Sequence, residues 1–214
     1  MKRLIALLFA AIMSSLALSS LSLAAEPQAG REFKPISPPL ASPKDKIEVI
    51  EFFSYGCPHC SDFHPLISQW AAKLPKDVSF RRVPVSFNRP EWARLAKIFY
   101  ALEATGDLAK LDTAVFIAIH EQRVAFKTDE SVVSWVAGKG ADGKKFGDAF
   151  SSFSMASKVQ RGDQDATGAR IGGVPALAVD GKFLINNEAA GNYEELLKFT
   201  DAMIAKARQE RKGK

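Results

Sequence analysis

The chain contains only two cysteines, Cys57 and Cys60, separated by Pro58 and His59 in the sequence C-P-H-C. A disulfide between them closes so short a loop that the chain-entropy model assigns it about 2 kcal/mol, against about 3 kcal/mol for a fifteen-residue loop. The pair is therefore poorly placed as a structural crosslink. It is well placed for thiol–disulfide exchange, in which a thiolate attacks a disulfide and a mixed disulfide forms.

The helix expected to begin at Pro58 should set the reactivity of Cys57, because proline suits the first helical position. A helix N-terminus offers unpaired N–H groups and the positive end of a dipole, which stabilise a thiolate and lower its pKa. His59 can add a positive charge or a hydrogen bond near this sulfur. Cys60, one turn into the helix, is expected to be the less accessible partner thiol. Stabilising the thiolate weakens the disulfide and makes the pair oxidising.

A metal site is the competing interpretation of these residues. Cys57, Cys60 and His64 could supply three zinc ligands, but a structural zinc site usually has four, and no second pair occurs at suitable spacing. His64 precedes Pro65, and we interpret it as a surface or packing residue. His120 is expected on a helix face without a chemical role. We therefore expect no metal.

The segments around the cysteines predict a small mixed sheet covered by helices. A buried strand leads into the cysteines, and the turn dipeptide Asp180-Gly181 indicates a hairpin late in the chain. A parallel strand pair bridged by the cysteine helix and this antiparallel hairpin would form one sheet. The expected strands are Phe33 to Ile36, Ile47 to Phe53, Val78 to Val85, Ala176 to Val179 and Lys182 to Asn186.

Helical periodicity covers residues 58–74 and the whole segment from Asn88 to Gly168. Asp129 is expected to cap one helix of this segment, and the final helix is expected to start at Asn192. Because neither flank completes a sheet alone, the helical segment is predicted to be an insertion.

The N-terminus predicts export. A basic start, ten apolar residues from Leu4 to Met13 and small residues ending at Ala24 are typical of a secretory signal peptide, cleaved after Ala24 or Ala25. An uncleaved membrane anchor is the alternative, but five serines dilute the second half of the segment. The net charge of +5 comes with no clustered basic face, so we expect no nucleic-acid partner.

Phe52-Phe53-Ser54 before the C-P-H-C sequence, Gly172-Gly173-Val174-Pro175 downstream, and the helical segment between them resemble DsbA, a family of periplasmic thiol:disulfide oxidoreductases in the thioredoxin superfamily. The resemblance covers the chain from about Lys46 to the final helix. It implies an α/β thioredoxin fold, with a central mixed sheet flanked by helices and an inserted all-helical subdomain. It also implies a low thiol pKa and a strongly oxidising pair.

With this resemblance the chain divides into five parts. Residues 1–24 are the expected signal peptide and 25–43 a Pro-rich N-terminal lead-in. Residues 44–87 form the first part of a thioredoxin-like domain, and 88–168 form the inserted helical subdomain. Residues 169–214 complete the thioredoxin-like domain with the final helix.

The resemblance also assigns roles outside the cysteine pair. Val174 and Pro175 are expected to form a cis-proline loop that offers backbone hydrogen bonds to an extended substrate; without the cysteine pair, a trans-proline turn would be the simpler interpretation. Glu51 should be buried near the cysteines, with a pKa raised by desolvation. In the family a lysine faces this glutamate, whereas Arg82 occupies the position here and does not readily release a proton. A proton relay at Glu51 and a structural Glu51–Arg82 pair therefore both stay open.

The function implied is a periplasmic protein dithiol oxidase that donates the Cys57–Cys60 disulfide to reduced exported proteins. We expect a monomer with no separate cofactor, reoxidised by a DsbB-type inner-membrane partner linked to quinone. Two rival classes remain: a periplasmic thioredoxin-like reductase or isomerase, and a non-enzymatic metal-binding or chaperone module.

Overall fold

The structure is a computed structural model that describes residues 27–213. The predicted signal peptide, residues 1–24, lies outside this range. Within it, five strands form one mixed sheet in the order β1-β5-β4-β2-β3. The strands are β1 (Phe33–Pro35), β2 (Ile47–Phe53), β3 (Val78–Pro84), β4 (Ala176–Val179) and β5 (Phe183–Ile185).

Helices cover both faces of this sheet. The first follows β2 directly, five lie between β3 and β4 in the chain, and two follow β5. They are α1 (Pro58–Ala71), α2 (Pro90–Thr105), α3 (Leu108–His120), α4 (Asp129–Gly138), α5 (Gly143–Ser151), α6 (Phe153–Gly168), α7 (Asn187–Ala190) and α8 (Tyr193–Lys212). The α/β thioredoxin fold with inserted helices that the sequence implies is therefore confirmed. None of the helices within residues 27–213 is long and apolar enough to cross a membrane.

Strand β2 occupies an interior position in the sheet, and all seven of its residues are buried. It pairs in parallel with β3 and antiparallel with β4, so both of its edges are hydrogen-bonded. Its apolar residues on both faces suit this position, because each face is covered by helices. The register places Glu51 beside Arg82 on β3 and beside Leu177 on β4.

Two apolar clusters pack against the face of β2 that carries Ile47, Val49 and Phe53. One joins Phe53, Tyr55 and both cysteines to the inner faces of the inserted helices, including Phe99 and Phe116. The other, which includes Ile47 and Val49 on that same face, lies under α1 and α8. The segment from Phe53 to Cys60 is thus packed between the sheet and the helical insertion.

Several element ends differ from the predictions. The cysteine helix ends at Ala71 rather than near Leu74, and β5 is shorter at both ends than predicted. The expected N-cap at Asp129 is wrong: Thr128 caps α4, and its side chain accepts a hydrogen bond from the backbone N–H of Ser131. Threonine and aspartate are both good caps, so the sequence pattern fixed this helix start only to within one residue.

Candidate active site

Cys57 is the N-cap residue of α1, and Pro58 occupies the first turn without a donor to satisfy. Both cysteines are free thiols in the structure. Cys57 has 6% of its surface exposed and Cys60 none, so only Cys57 can meet an incoming sulfur directly. The structure therefore places the two thiols as the sequence predicts, one at the helix start and one behind it.

The environments of the two thiols push their pKa values in opposite directions. The pKa of Cys57 is lowered from 9.0 to about 6, chiefly by a hydrogen bond from the Cys60 thiol. Burial opposes this effect, and the backbone N–H groups of Cys60 and His59 add to it. Burial, followed by the hydrogen bond to Cys57, raises the pKa of Cys60 far above its usual range. At neutral pH the reduced pair therefore holds a thiolate at Cys57 and a thiol at Cys60.

The loop before β4 reaches Cys57 from the opposite side. The Val174–Pro175 peptide bond is cis, as the resemblance implies. Cys57 Sγ lies 3.3 Å from the carbonyl oxygen of Val174, to which the protonated thiol can donate a hydrogen bond. This contact joins residues 117 positions apart in the chain.

A groove of about 630 Å³ runs along this loop beside the helix start, and we call it the cis-proline groove. His59, Val174, Pro175, Asn187 and Tyr193 are among its lining residues. The Tyr193 hydroxyl donates to the carbonyl oxygen of His59 at 3.0 Å, and the Asn187 amide donates to that of Pro175. These two bonds tie the groove walls to the residues that flank Cys57.

Glu51 lies at the bottom of the site and is fully buried. Arg82 donates from Nε to Glu51 Oε2 at 2.7 Å, and its guanidinium stacks on Phe53 with a distance of 3.9 Å from the carbon Cζ to the ring centroid. Burial raises the pKa of Glu51 despite the opposing effect of Arg82. Its charge also contributes to the raised pKa of Cys60, which places the carboxyl group within electrostatic reach of that thiol.

Asp112, Tyr55 and His120 extend the contacts around Arg82, and the sequence assigned no chemical role to any of them. Asp112 on α3 accepts bonds of 2.5 Å from both Arg82 Nη1 and the Tyr55 hydroxyl. His120 donates from Nε2 to the carbonyl oxygen of Tyr55 at 2.7 Å, so its helix face does contact the active-site loop. Asp112 and His120 lie eight residues apart on α3, a spacing that puts both on one helix face.

The sequence left open whether His64 is a surface residue or a packing residue. The structure shows that it packs in the interior. Its ring is buried, lies 4.8 Å from that of Phe116 and has Nε2 3.0 Å from the Thr113 hydroxyl. Pro65 lies inside α1.

Comparisons with known proteins agree on the family. Residues 48–198 match the DSBA-like thioredoxin domain. The chain is 41% identical to the thiol:disulfide interchange protein DsbA of Azotobacter vinelandii and 39% identical to that of Pseudomonas aeruginosa. The alignments cover 84% of this chain in both cases, and 84% and 85% of these relatives.

Solved structures give the same result. The crystal structure of Pseudomonas aeruginosa DsbA matches with a TM-score of 0.82 and 37% identity, covering 87% of this chain and 97% of that one. The structure of DsbA from Xylella fastidiosa matches with a TM-score of 0.79 and 28% identity, over 86% and 98%. The chain therefore belongs to the DsbA-like thioredoxin family of thiol:disulfide oxidoreductases.

Proposed function

We propose that this thiol:disulfide oxidoreductase acts in the periplasm, where it donates its Cys57–Cys60 disulfide to reduced exported proteins. The observation that carries the proposal is the contrast between the two thiols. Cys57 is at the helix N-terminus with a pKa of about 6, and Cys60 is fully buried with a strongly raised pKa. A dithiol with so stable a thiolate favours the reduced state, and its disulfide is therefore an oxidant.

The exchange proceeds in two attacks. A substrate thiolate attacks Cys57 Sγ, a substrate–Cys57 disulfide forms, and the electron pair of the broken bond passes to Cys60 Sγ. A second substrate thiolate then attacks the substrate sulfur of the mixed disulfide and releases the Cys57 thiolate. The substrate loses two electrons, and the enzyme is left with a thiolate at Cys57 and a thiol at Cys60. Of the two protons from the substrate dithiol, one remains on Cys60 and one passes to solvent.

Cys60 Sγ is the buried leaving group of the first attack, and it must receive a proton as the disulfide breaks. A Cys60 thiolate is unfavourable because burial strongly raises the pKa of this thiol. Glu51 is the buried acid whose charge acts on Cys60, and its own raised pKa lets it hold a proton. We assign Glu51 the role of proton donor to Cys60 during reduction and acceptor during reoxidation. Arg82 stays charged and holds the carboxyl group in place.

Substrate recognition is assigned to the cis-proline loop. Val174 and Pro175 line the groove next to Cys57, and an extended peptide there can add backbone hydrogen bonds to the loop as a strand would. Such recognition reads the peptide backbone more than its side chains, which suits many unfolded clients. His59 and Pro58 are exposed at the same surface and shape the approach to Cys57.

The reduced enzyme must then lose two electrons. We propose an inner-membrane partner of the DsbB type, which passes them to quinone. Its own disulfide would accept the Cys57 thiolate by the same exchange chemistry run in the opposite direction.

The first test is the redox equilibrium of the pair in glutathione buffers, trapped by alkylation of free thiols. An oxidase is expected to be largely reduced in buffers where a thioredoxin-type pair stays oxidised. If the disulfide persists far into reducing buffer, the pair is a reductase or a structural crosslink, and the proposed direction of electron flow is wrong.

Two variants test the roles of the sulfurs. Cys57→Ser should abolish oxidation of a reduced client protein, because no attackable sulfur remains at the helix start. Cys60→Ser should instead accumulate mixed disulfides on Cys57, since the Cys57 thiolate still attacks disulfides but no Cys60 thiol can attack Cys57 Sγ to release the partner. Equal residual activity in both variants, with the client still oxidised, would favour the rival non-enzymatic class.

A further inference from the structure

The pair formed by Glu51 and Arg82 is part of a larger buried cluster that reaches into the helical insertion. The Arg82 guanidinium bonds to Glu51 with Nε and to Asp112 with Nη1. Its side chain is 12% exposed, that of Asp112 is 16% exposed and that of Glu51 is fully buried. One cation therefore serves two carboxylates in a region with little solvent.

The other titratable groups facing this cluster favour their uncharged forms. Burial raises the pKa of Tyr55, whose hydroxyl bonds to Asp112. Burial lowers the pKa of His64, whose Nε2 lies 3.7 Å from Asp112 Oδ2. Burial raises the pKa of Cys60, as above. With both carboxylates ionised the cluster would carry a net negative charge, and one bound proton removes it.

The geometry decides which carboxylate takes that proton. Asp112 accepts a short hydrogen bond on each oxygen, from Tyr55 and from Arg82, and retains some solvent contact. Glu51 accepts from Arg82 on Oε2 alone, and among residues 27–213 its Oε1 finds no hydrogen-bond partner. The ionised carboxylate accepts more hydrogen bonds at Asp112 than at Glu51, so Glu51 is the carboxyl group that binds the proton.

We propose that Asp112, in the helical insertion, is a positioning residue of the redox centre, which shares the Arg82 guanidinium with Glu51 and so keeps Glu51 able to bind a proton beside Cys60. The inference rests on the proton-donor role proposed above for Glu51. Asp112 acts on Glu51 through the shared Arg82 guanidinium and through the repulsion between the two carboxylates. Without its charge, the guanidinium would serve Glu51 alone and hold that carboxyl group ionised.

The test is the protonation of Glu51 in an Asp112→Asn variant. Asparagine keeps the shape of aspartate and can still accept the Tyr55 hydrogen bond, but it carries no charge. In the oxidised protein, where no thiol titrates, the ¹³C shift of the Glu51 carboxyl group is followed against pH and assigned with Glu51→Gln. We expect Asp112→Asn to lower the proton affinity of Glu51 at least tenfold, a midpoint shift of about one pH unit or more.

Matched variants separate this effect from a general loss of structure. Asp148→Asn removes an exposed carboxylate of α5 that pairs with Lys144, and it should leave the Glu51 midpoint unchanged. Asp112→Glu keeps the charge and should restore a midpoint near that of the wild type. If Asp112→Asn does not fold, Asp112→Ala provides the same loss of charge for comparison.

The pH profile of client oxidation gives a second readout. Asp112→Asn should move to lower pH the step at which the rate falls as Glu51 loses its proton, and it should produce no further shift in a Glu51→Gln background, because it acts through Glu51. An unchanged Glu51 midpoint, or an equal shift in both backgrounds, overturns the inference. If Glu51→Gln leaves the rate profile unaltered, the proton-donor role of Glu51 fails, while the carboxyl titration still decides whether Asp112 controls its protonation.

Discussion

The Cys60 thiol should be the main stabiliser of the Cys57 thiolate, and two substitutions at Cys60 isolate that contribution. Its hydrogen bond is the largest single influence on the pKa of Cys57, which lies at about 6 instead of 9.0. Cys60→Ala removes the donor, whereas Cys60→Ser replaces the thiol with a hydroxyl that can donate in the same direction. Both remove the second sulfur, so any difference between them belongs to the hydrogen bond.

The expected size follows from the energy of a hydrogen bond to a charged group. Such a bond contributes about 1.5 to 3 kcal/mol, and about 1.36 kcal/mol corresponds to one pKa unit. Cys60→Ala should therefore raise the pKa of Cys57 by about one to two units. Cys60→Ser should stay near the wild-type value of about 6. The backbone N–H groups of His59 and residue 60 remain in both variants and keep part of the depression.

The thiolate absorbs near 240 nm, so a pH titration of that absorbance measures the midpoint directly. Stability gives an independent check. The pKa of Cys57 is lowered in the folded protein, so its stabilising effect is complete above the unfolded pKa of 9.0 and is lost as the pH falls through about 6. At pH 7 this amounts to about 1.4 kcal/mol in the reduced protein, and urea unfolding should show most of it missing in Cys60→Ala.

Identical midpoints for the alanine and serine variants would refute this reasoning. The low pKa of Cys57 would then come from the helix N-terminus alone. An opposite order, with serine above alanine, would show that the hydroxyl is turned away from Cys57.

Two further outcomes are expected. Gly162→Ala should destabilise the protein by about 1 to 3 kcal/mol in urea unfolding, because the new Cβ lies 3.1 Å from the Pro84 carbonyl oxygen. As a control, Gly147→Ala makes only ordinary contacts and should be neutral or stabilising. Burial lowers the pKa of His64, so the protein should lose stability as the pH falls below the unfolded value of 6.5; His64→Gln should flatten that part of the stability–pH curve, and an unchanged slope would contradict the assignment.

The redox pair and its loop could be predicted from the sequence because the signals are local. C-P-H-C after a strand defines a helix start, and Gly-Gly-Val-Pro before another strand marks the loop that meets it. The strand β2 and the parallel pairing with β3 also follow from local apolar patterns. The pairing of Glu51 with Arg82 was implied by the resemblance, and the register of β2 and β3 agrees with it; the choice between a proton relay and a structural pair could not be made from the sequence.

Asp112 and His120 could not be predicted in the same way. Their contacts with Tyr55 span 57 and 65 residues and depend on how α3 packs against the active-site loop. A signal did exist: Asp112 interrupts an apolar helix and shares a face with Phe116 and His120. Periodicity marks such a residue as unusual, but only tertiary structure supplies the cation and the hydroxyl that explain it.

The buried carboxyl group of Glu51 should lower the stability of the folded protein, although the proposed proton transfer to Cys60 depends on it. Its pKa is raised in the folded protein, so any stabilisation is present below the unfolded pKa of 4.5 and is lost as the pH rises through the folded value. Glu51→Gln removes the charge and leaves Arg82 paired with Asp112 one to one. We therefore expect this variant to unfold at higher urea than the wild type above neutral pH, with the difference vanishing in acid, while it oxidises clients more slowly. Equal stability at both pH values would mean that Arg82 fully compensates the Glu51 charge, and the glutamate would then be a structural partner without a proton to give.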